Sequence, residues 1–479
     1  MKMNRTRLAP SLPWIAAALG CLGPLGLQAA AAPVDTGEAS FRSLYKELVE
    51  INTTLSSGSC TEAAEAMAAR LQAAGMPRDS MQVLAPPDRP KSGALIAELP
   101  GRDRSLEPVM LLAHIDVVEA NRADWTRDPF KLVEEGGYFY ARGSSDDKAM
   151  AAVFTDILVR FKTQGFQPKR GLKLALTCGE ETSDTFNSVR WLMQTHPETL
   201  KAQFVLNEGA GGLLGPDGKP VALDVQAGEK TYQDFMLETT NPGGHSSRPG
   251  RKNAINELAA GLMRLAAHQF PASLSDTTRA YFEAQAKLSP PDIAADMRAI
   301  LKDPSDAAAA DGLWAANPSW NGMLRTTCVT TEIAGGHAPN ALPQRASANV
   351  NCRILPGVPI ETVRKDLERI LADDGIKVNL VGEPGVMAPA PPLTPRIMDP
   401  VRKVAAGIWP GVPVIPTLST GGTDGRFLNA AGIPTYGMSG MFSDAEGSHA
   451  HGLNERMLVQ SLMDGRRFLY EVVKIYVQQ

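Results

Sequence analysis

Five short segments of this sequence carry the imidazole and carboxylate side chains that could do chemistry. They are HID (114–116), SSDDK (144–148), GEE (179–181), NEG (207–209) and HGLNE (451–455). These side-chain types bind first-row divalent metal ions. The chain has only seven histidines, and two of them lie in these segments. The order H…D…EE…E…H therefore predicts a two-metal hydrolase.

A pair of metal ions makes specific demands on these residues. Two metals about 3.5–4 Å apart can share a bridging carboxylate and activate a water molecule. Adjacent Glu180 and Glu181 can then divide the work, one as ligand and the other as general base. A metal-bound His114 needs an acceptor on its other ring nitrogen, and Asp116 lies on the same side of an extended segment.

Each segment also has a purely structural explanation. A histidine after a strand is often structural, the acidic pairs could be solvated turns or helix caps, and HGLNE could simply open the last helix. What favours metal binding is that all five patterns occur together, several of them at successive strand ends. His449 competes with His451 for the last ligand position.

The elements that position these residues alternate between strand and helix. Short apolar runs bounded by turn signals predict buried strands at 108–113, 172–178 and 203–207. Helical patterns cover 40–53, 60–75, 148–163 and 185–195. This alternation predicts an α/β fold with a mixed, mostly parallel sheet, whose active site lies beyond the carboxyl ends of the strands.

A second unit interrupts the first. Its predicted order is βαββαβ, that of a ferredoxin-like domain, with strands at 232–240, 323–333, 345–354 and 376–381 and helices at 252–268 and 360–374. Residues 269–322 form an insertion of undefined structure. The α/β pattern resumes with strands at 412–416 and 433–437 and a helix at 455–477. We therefore predict a catalytic domain from 38–227 and 386–479 and an inserted domain at 228–385.

Composition bounds the class of protein. The 479 residues exceed one ordinary domain, and a formal net charge of −4 gives no electrostatic footprint for nucleic acid. Residues 1–32 combine N-terminal cations, an apolar run and small residues, which predicts a signal peptide. A membrane anchor is the alternative, although prolines interrupt the run. The mature chain is expected to be exported, periplasmic or secreted, and not embedded in a membrane.

Four cysteines follow the predicted signal peptide, in no metal-binding spacing. Cys328 and Cys352 lie on neighbouring predicted strands. They could pair in an oxidising compartment or remain buried free thiols.

The motifs resemble those of the co-catalytic dizinc peptidase and amidohydrolase family of carboxypeptidase S, glutamate carboxypeptidase, aminoacylase, carnosinase-type dipeptidases and succinyl-diaminopimelate desuccinylase. HID, ARGSSDDK (141–148), GEE, GHSSRP (244–249) and HGLNE occur in the family's order. The resemblance covers nearly the whole mature chain. It implies two zinc ions, with cobalt or manganese as alternatives, and an inserted domain that serves as lid and for homodimerisation.

The resemblance also implies a role for each matching residue. One zinc would be held by His114, Asp146 and Glu208, and the other by Asp146, Glu181 and His451, with Asp146 bridging. Glu180 would be the general base, Asp116 would orient His114, and His245 would stabilise the oxyanion, in many relatives from the partner subunit. Substrate-binding positions would be Asn340, Arg353, Gly422 and Thr423, the last two in GGTDGRF (421–427).

These observations predict an exported dizinc hydrolase that cleaves an amide next to a free carboxylate, as a carboxypeptidase on short peptides. N-acyl amino acid hydrolysis or dipeptidase action is the alternative within the same chemistry. A binding protein that kept the fold without catalysis is an alternative of another class, as is a metal-bound scaffold whose small domain only dimerises. No ligand or base is missing from the sequence to favour either of the last two.

Overall fold

A computed structural model describes residues 37–182 and 185–479, so the predicted signal peptide lies outside the described residues. The strands are β1 (Met81–Leu84), β2 (Ala94–Leu99), β3 (Val109–His114), β4 (Val133–Glu135), β5 (Tyr138–Tyr140), β6 (Leu172–Thr177), β7 (Phe204–Asn207), β8 (Gly212–Leu214), β9 (Pro220–Glu229), β10 (Thr231–Thr240), β11 (Gly244–His245), β12 (Thr327–Gly335), β13 (Ala341–Leu342), β14 (Arg345–Ile354), β15 (Ile376–Leu380), β16 (Val414–Ser419), β17 (Thr435–Gly437), β18 (Phe442–Ser443) and β19 (Arg456–Leu458).

The α-helices connect and cover these strands. They are α1 (Glu38–Glu50), α2 (Cys60–Ala73), α3 (Lys148–Thr163), α4 (Ser188–Thr195), α5 (Ala254–Ala267), α6 (Asp276–Gln285), α7 (Pro291–Lys302), α8 (Ala307–Ala316), α9 (Pro318–Leu324), α10 (Ile360–Leu371), α11 (Pro395–Ile408), α12 (Gly425–Ala430) and α13 (Val459–Tyr476).

The large sheet carries the predicted α/β architecture. Its strand order is β1-β2-β6-β3-β7-β17-β9-β8-β18, with β16 paired to β9. Strands β6, β3, β7 and β17 run parallel, whereas β1, β2, β8 and β9 contribute the antiparallel pairs. The predicted fold class and the strands at β3, β6 and β7 are confirmed. The ten-residue β9 was not predicted, although it ends beside the candidate site.

Both faces of this sheet are covered, which explains why its central strands are continuous apolar runs. In β3, Val109, Leu111 and Ala113 face a core built with α1, α2, α3 and α13. Met110 and Leu112 face the opposite core, which α4 and α12 complete. The alternation fixes the register of the sheet, because a shift of one residue would exchange the two faces.

A separate four-stranded antiparallel sheet has the order β12-β14-β10-β15. With α5 and α10 packed against it, the chain order is the predicted βαββαβ. The insertion is helical: α6 to α9 enclose a small core around Phe282, Met297 and Leu313. Residues 38–479 cluster as one compact unit, so the predicted domain bounds at 228 and 385 stay a prediction, as does the lid role.

The prediction for the last helix was wrong at its start. Residues 456–458 form β19, which pairs with β5, and the helix begins at Val459. The helical pattern of apolar residues in the sequence does not show where β19 ends and the helix begins. The pairing of β19 with β5 depends on residues more than 300 positions away, which a local pattern does not report.

Two disulfides join the cysteines. Cys328–Cys352 links β12 to β14, which resolves the alternative left open by the sequence. Cys60–Cys178 was not predicted; it links the start of α2 to the residue after β6. Among the described residues, no helix is both long and apolar enough to cross a membrane.

Candidate metal centre

Three of the predicted site segments follow parallel strands of the large sheet. His114 is the last residue of β3 and is buried. Its neighbours β6 and β7 are followed within four residues by Glu180 and Glu181 and by Glu208. Parallel strands end at the same edge of a sheet, so these side chains converge there, as expected for an open α/β fold.

The loop that carries Asp146 is held by a buried carboxylate, Glu455. Its two oxygens accept hydrogen bonds from the backbone N–H groups of Gly143 (3.0 Å), Ser145 (2.8 Å) and Asp146 (3.0 Å). The Arg142 guanidinium donates a further bond of 2.7 Å. A buried charge with this many donors is well compensated, and the loop is therefore rigidly placed.

Asp146 lies between two histidines and contacts both. Its Oδ1 is 3.1 Å from His114 Nε2, and its Oδ2 is 3.2 Å from His451 Nε2. Glu208 Oε2 lies 3.5 Å from His114 Nε2, and Glu181 Oε2 lies 2.9 Å from His451 Nε2. The structure thus assembles two sets, each of one imidazole and two carboxylates, that share Asp146.

This donor set fits a pair of divalent cations. Ligand atoms of His114, Asp146 and Glu181 lie within 4.8 Å of one another, as do those of His114, Asp147 and Glu208. Asp147 adds a buried carboxylate that the sequence analysis did not assign, and its Oδ2 has no hydrogen-bond partner within 37–182 and 185–479. Imidazole and carboxylate ligands accept zinc, cobalt or manganese, so the donors leave the metal open.

The charges of the site explain why it requires cations. Burial, and then the neighbouring Glu208, raise the pKa of Glu180 well above its ordinary value. Burial likewise raises the pKa of Glu208. Burial alone would lower the pKa of His114, but Glu208 and Asp146 raise it well above its usual value. Hydrogen bonds with Asp146 and Glu181 raise the pKa of His451 to about 10. Positive charge at these ligands is therefore favoured, and metal ions bound there would supply it.

Asp116 contacts His114 through its backbone as well as its side chain. His114 Nδ1 lies 3.1 Å from the Asp116 carbonyl oxygen and 3.7 Å from its Oδ1. The Asp116 carboxylate accepts hydrogen bonds from the backbone N–H groups of Glu180 (3.3 Å) and Glu181 (3.0 Å). One residue therefore fixes the imidazole and the two glutamates relative to each other.

The loop 421–427 is anchored beside the cluster. Thr423 donates from its backbone N–H and its hydroxyl to Glu229 Oε2, both at 2.9 Å, and its hydroxyl accepts from Asn207. Asp424 accepts from Thr177 and from Asn187. Burial raises the pKa of Glu229 to about 8. Sequence reasoning missed Glu229, which is the last residue of the unpredicted strand β9.

A cleft of about 560 Å³ opens next to the glutamate pair. We call it the arginine cleft, because Arg190, Arg353 and Arg426 line it together with Glu180, Glu181 and Gly422. The Arg353 guanidinium lies 4.6 Å from the centre of the Tyr232 ring, and Arg426 Nη1 lies 3.8 Å from Glu180 Oε1. Arg353 and Gly422 were predicted, whereas Arg426 was missed although it belongs to the quoted GGTDGRF motif.

The structure does not bring the remaining predicted residues to the cluster. His245 lies exposed on β11, paired with β13, and its Nδ1 accepts from Ser247. Asn340 accepts from Ser246 in the same hairpin. Neither lines the arginine cleft. Of the two candidate histidines, His451 contacts Asp146 and Glu181, and His449 has no such contact among the described residues.

Residues 110–475 match the model of a protein family described as "Peptidase family M20/M25/M40". Two curated relatives are similar over most of both chains. The mouse (Mus musculus) N-fatty-acyl-amino acid synthase/hydrolase PM20D1 is 27% identical over 78% of this chain and 75% of its own. The Dictyostelium discoideum probable carboxypeptidase S-like 2 is 27% identical over 80% of this chain and 74% of its own.

A solved structure shares the fold. The M20 family metallo-carboxypeptidase Sso-CP2 from Sulfolobus solfataricus superposes with a TM-score of 0.68 at 20% sequence identity. The match covers 91% of this chain and 99% of that chain.

Glu455 provides a test of how the Asp146 loop is held. We expect Glu455→Gln to weaken metal binding by about 10- to 100-fold, because the amide removes the charge and places an NH₂ group against the loop's own donors. Competition with a calibrated chelator measures this affinity. Glu65→Gln, at an exposed position of helix α2, is the matched control and should bind metal as the wild type does. Unchanged affinity in Glu455→Gln would show that the loop is held by other contacts.

Proposed function

The chain belongs to peptidase family M20/M25/M40 and is a metallopeptidase or amidohydrolase, and we propose that it is an exported two-metal hydrolase that cleaves an amide bond next to a free carboxylate. Short peptides and N-acyl amino acids both meet this requirement. The two curated relatives carry both kinds of name, carboxypeptidase and N-acyl amino acid hydrolase.

The observation that carries this proposal is the arginine cleft beside Glu180. Two guanidinium groups, from Arg353 and Arg426, line the same cleft. Burial first, and Arg426 in part, lower the pKa of Arg353. A guanidinium pair of this kind fits a carboxylate with bidentate geometry. A substrate carboxylate in the cleft places the neighbouring amide near the metal cluster.

The mechanism follows from what each side chain can do. His114, Asp146, Glu181, Glu208 and His451 would hold two divalent cations, which when bound supply Lewis-acid polarisation of the carbonyl and a water of lowered pKa. Among the described residues, the ion pair of Glu180 is with Arg426 and none is with a histidine, so Glu180 is proposed as the general base. It would accept a proton from the attacking water and then donate it to the leaving amine nitrogen.

His245 and Asn340 enter this mechanism only if another element brings them to the cluster. We propose that the protein forms a homodimer in which the exposed hairpin carrying His245 reaches the partner's site. The proposal is supported by the exposure of the hairpin and by the lining of this chain's own cleft, which includes neither His245 nor Asn340. Light scattering would contradict it by giving the mass of a single chain at working concentrations.

Substrate recognition can be tested by replacing the free carboxylate of the substrate with a carboxamide. Among dipeptides and N-acyl amino acids, we expect C-terminal carboxamides to lose at least ~30-fold in kcat/KM, because a half-buried guanidinium that loses its charged partner costs about 2 kcal/mol. In Arg353→Met the difference in kcat/KM between the free acid and the carboxamide should nearly vanish. Arg345→Met, exposed on the same strand, serves as the control. Equal cleavage of acids and amides by the wild type would overturn the proposal.

The role of Glu180 is tested separately from metal binding. We expect Glu180→Gln to retain both metals and to lose at least ~10³-fold in kcat, because the amide cannot accept the proton of the attacking water. Metal content is measured by mass spectrometry. Glu383→Gln, in another wall of the same cleft, should keep normal turnover. Near-normal rates for Glu180→Gln would assign the base elsewhere.

Export rests on the signal-peptide pattern of residues 1–32 and is supported by the two disulfides, which are typical of oxidising compartments. We expect N-terminal sequencing of protein recovered outside the cytoplasm to begin shortly after Ala29–Ala32. Retention of Met1 in that fraction would indicate an anchor instead.

A further inference from the structure

A small polar cavity is lined by both Glu208 and Glu229, and we call it the Glu229 cavity. Its walls come from the ends of β7 and β9, from β17 and from the loop 421–427 with the helix α12 that follows it. It shares no lining residue with the arginine cleft. The space left free inside it, about 10 Å³, is room for one water-sized particle.

The walls of the Glu229 cavity are polar and almost wholly buried. Two carboxylates, three amides and two hydroxyls line it together with glycines, and no lysine, arginine or histidine of the described part of the chain is among them. The carboxylates are those of Glu208 and Glu229, and the amides are those of Asn207, Gln226 and Asn429. All of these residues except Glu208 are less than 10% exposed. A buried wall of this composition needs a partner for its oxygens.

The two oxygens of Glu229 differ in how they are satisfied. Oε2 accepts hydrogen bonds from the backbone N–H and the hydroxyl of Thr423, both at 2.9 Å, and from Gln226 Nε2 at 3.4 Å. Oε1 has no hydrogen-bond partner within 37–182 and 185–479, although Glu229 is only 5% exposed. A buried carboxylate oxygen without a partner is costly, and the free space of the cavity can hold one.

The charges around the cavity favour a cation there. Burial raises the pKa of Glu229 to about 8, and the neighbouring Glu208 adds to the rise, while Thr423 and Arg426 offset it only in part. The amides of Gln226 and Asn207 donate to Glu229 Oε2 and to Thr423 Oγ1, which leaves their own oxygens as acceptors. Carboxylate and amide oxygens suit hard cations, but one water-sized space excludes the hydration waters that Mg²⁺ retains.

We propose that the Glu229 cavity binds one dehydrated monovalent cation of about the size of a water molecule, such as K⁺, through Glu229 Oε1 and the neighbouring amide oxygens. The ion would keep Glu229 charged, and a charged carboxylate accepts stronger hydrogen bonds from Thr423 than a neutral one does. The site has only Glu208 in common with the proposed two-metal cluster. The inference does not depend on the proposed function, because stability reports it without any substrate.

Thermal unfolding of the full-length, metal-loaded protein tests for the ion. Potassium chloride is compared with tetramethylammonium chloride at equal ionic strength, because tetramethylammonium is too large for the cavity. We expect K⁺ to raise Tm by at least about 2 °C, as a ligand does that binds only the folded state. The same Tm in both salts would overturn the inference.

Glu229→Gln shows whether the effect arises in this cavity. The amide keeps an oxygen for Thr423 and presents an NH₂ group to the cavity, so we expect K⁺ to leave the Tm of this variant unchanged. Asp224→Asn is the matched control, because burial also raises the pKa of this β9 carboxylate, to about 7, but Asp224 does not line the cavity. It should keep the wild-type response to K⁺. A Glu229→Gln protein that K⁺ still stabilises would contradict the assignment.

Diffraction from wild-type crystals locates the ion if the glutamine variant does not fold. Rubidium replaces potassium in such sites and scatters anomalously. We expect crystals grown in rubidium chloride to give an anomalous peak beside Glu229 Oε1. A map without a peak in the Glu229 cavity would overturn the inference.

Discussion

The repulsion among buried carboxylates around Asp146 is the constraint on which the rest of this structure depends. Glu180, Glu181, Glu208 and Asp147 lie close to it, and burial strengthens their repulsion by removing water. A folded chain can hold such a cluster only with compensating cations and a rigid support. The two imidazoles supply part of the compensation, and a pair of metal ions would supply the remainder.

The support comes from elements far apart in sequence. Three parallel strands deliver His114 and the glutamates to one edge, and the last quarter of the chain returns to add Glu455, His451 and Thr423. The single buried carboxylate of Glu455 fixes the backbone of the Asp146 loop by accepting hydrogen bonds from several of its N–H groups. Asp116 does the same for the two glutamates. The division of work between Glu180 and Glu181 depends on this fixed backbone.

Two adjacent buried residues, Glu229 and Lys230, connect the large sheet to the small one. Glu229 is the last residue of β9 and Lys230 follows it, and their side chains form hydrogen bonds with different parts of the chain. Glu229 accepts from Thr423 beside the metal cluster, while Lys230 donates to the carbonyls of Gly322 and Arg325 at the entrance to β12. Both are buried, and burial raises the pKa of Glu229 to about 8 and lowers that of Lys230 to about 7. The position of the small sheet is thereby tied to the loop 421–427.

The sequence by itself determined the chemistry and most of the elements. Few side-chain types bind these metals, chiefly histidine, cysteine, aspartate and glutamate, and period-2 and period-3.6 patterns report local structure, so both are readable from residue type and spacing. Only the tertiary structure decided which groups face one another. It selected His451 over His449, paired Cys60 with Cys178, and placed Arg426 and Arg353 in the lining of one cleft. It also left His245 away from this chain's own cluster. Such contacts join residues up to hundreds of positions apart, and long-range proximity depends on how the strands and helices pack, which no local pattern encodes.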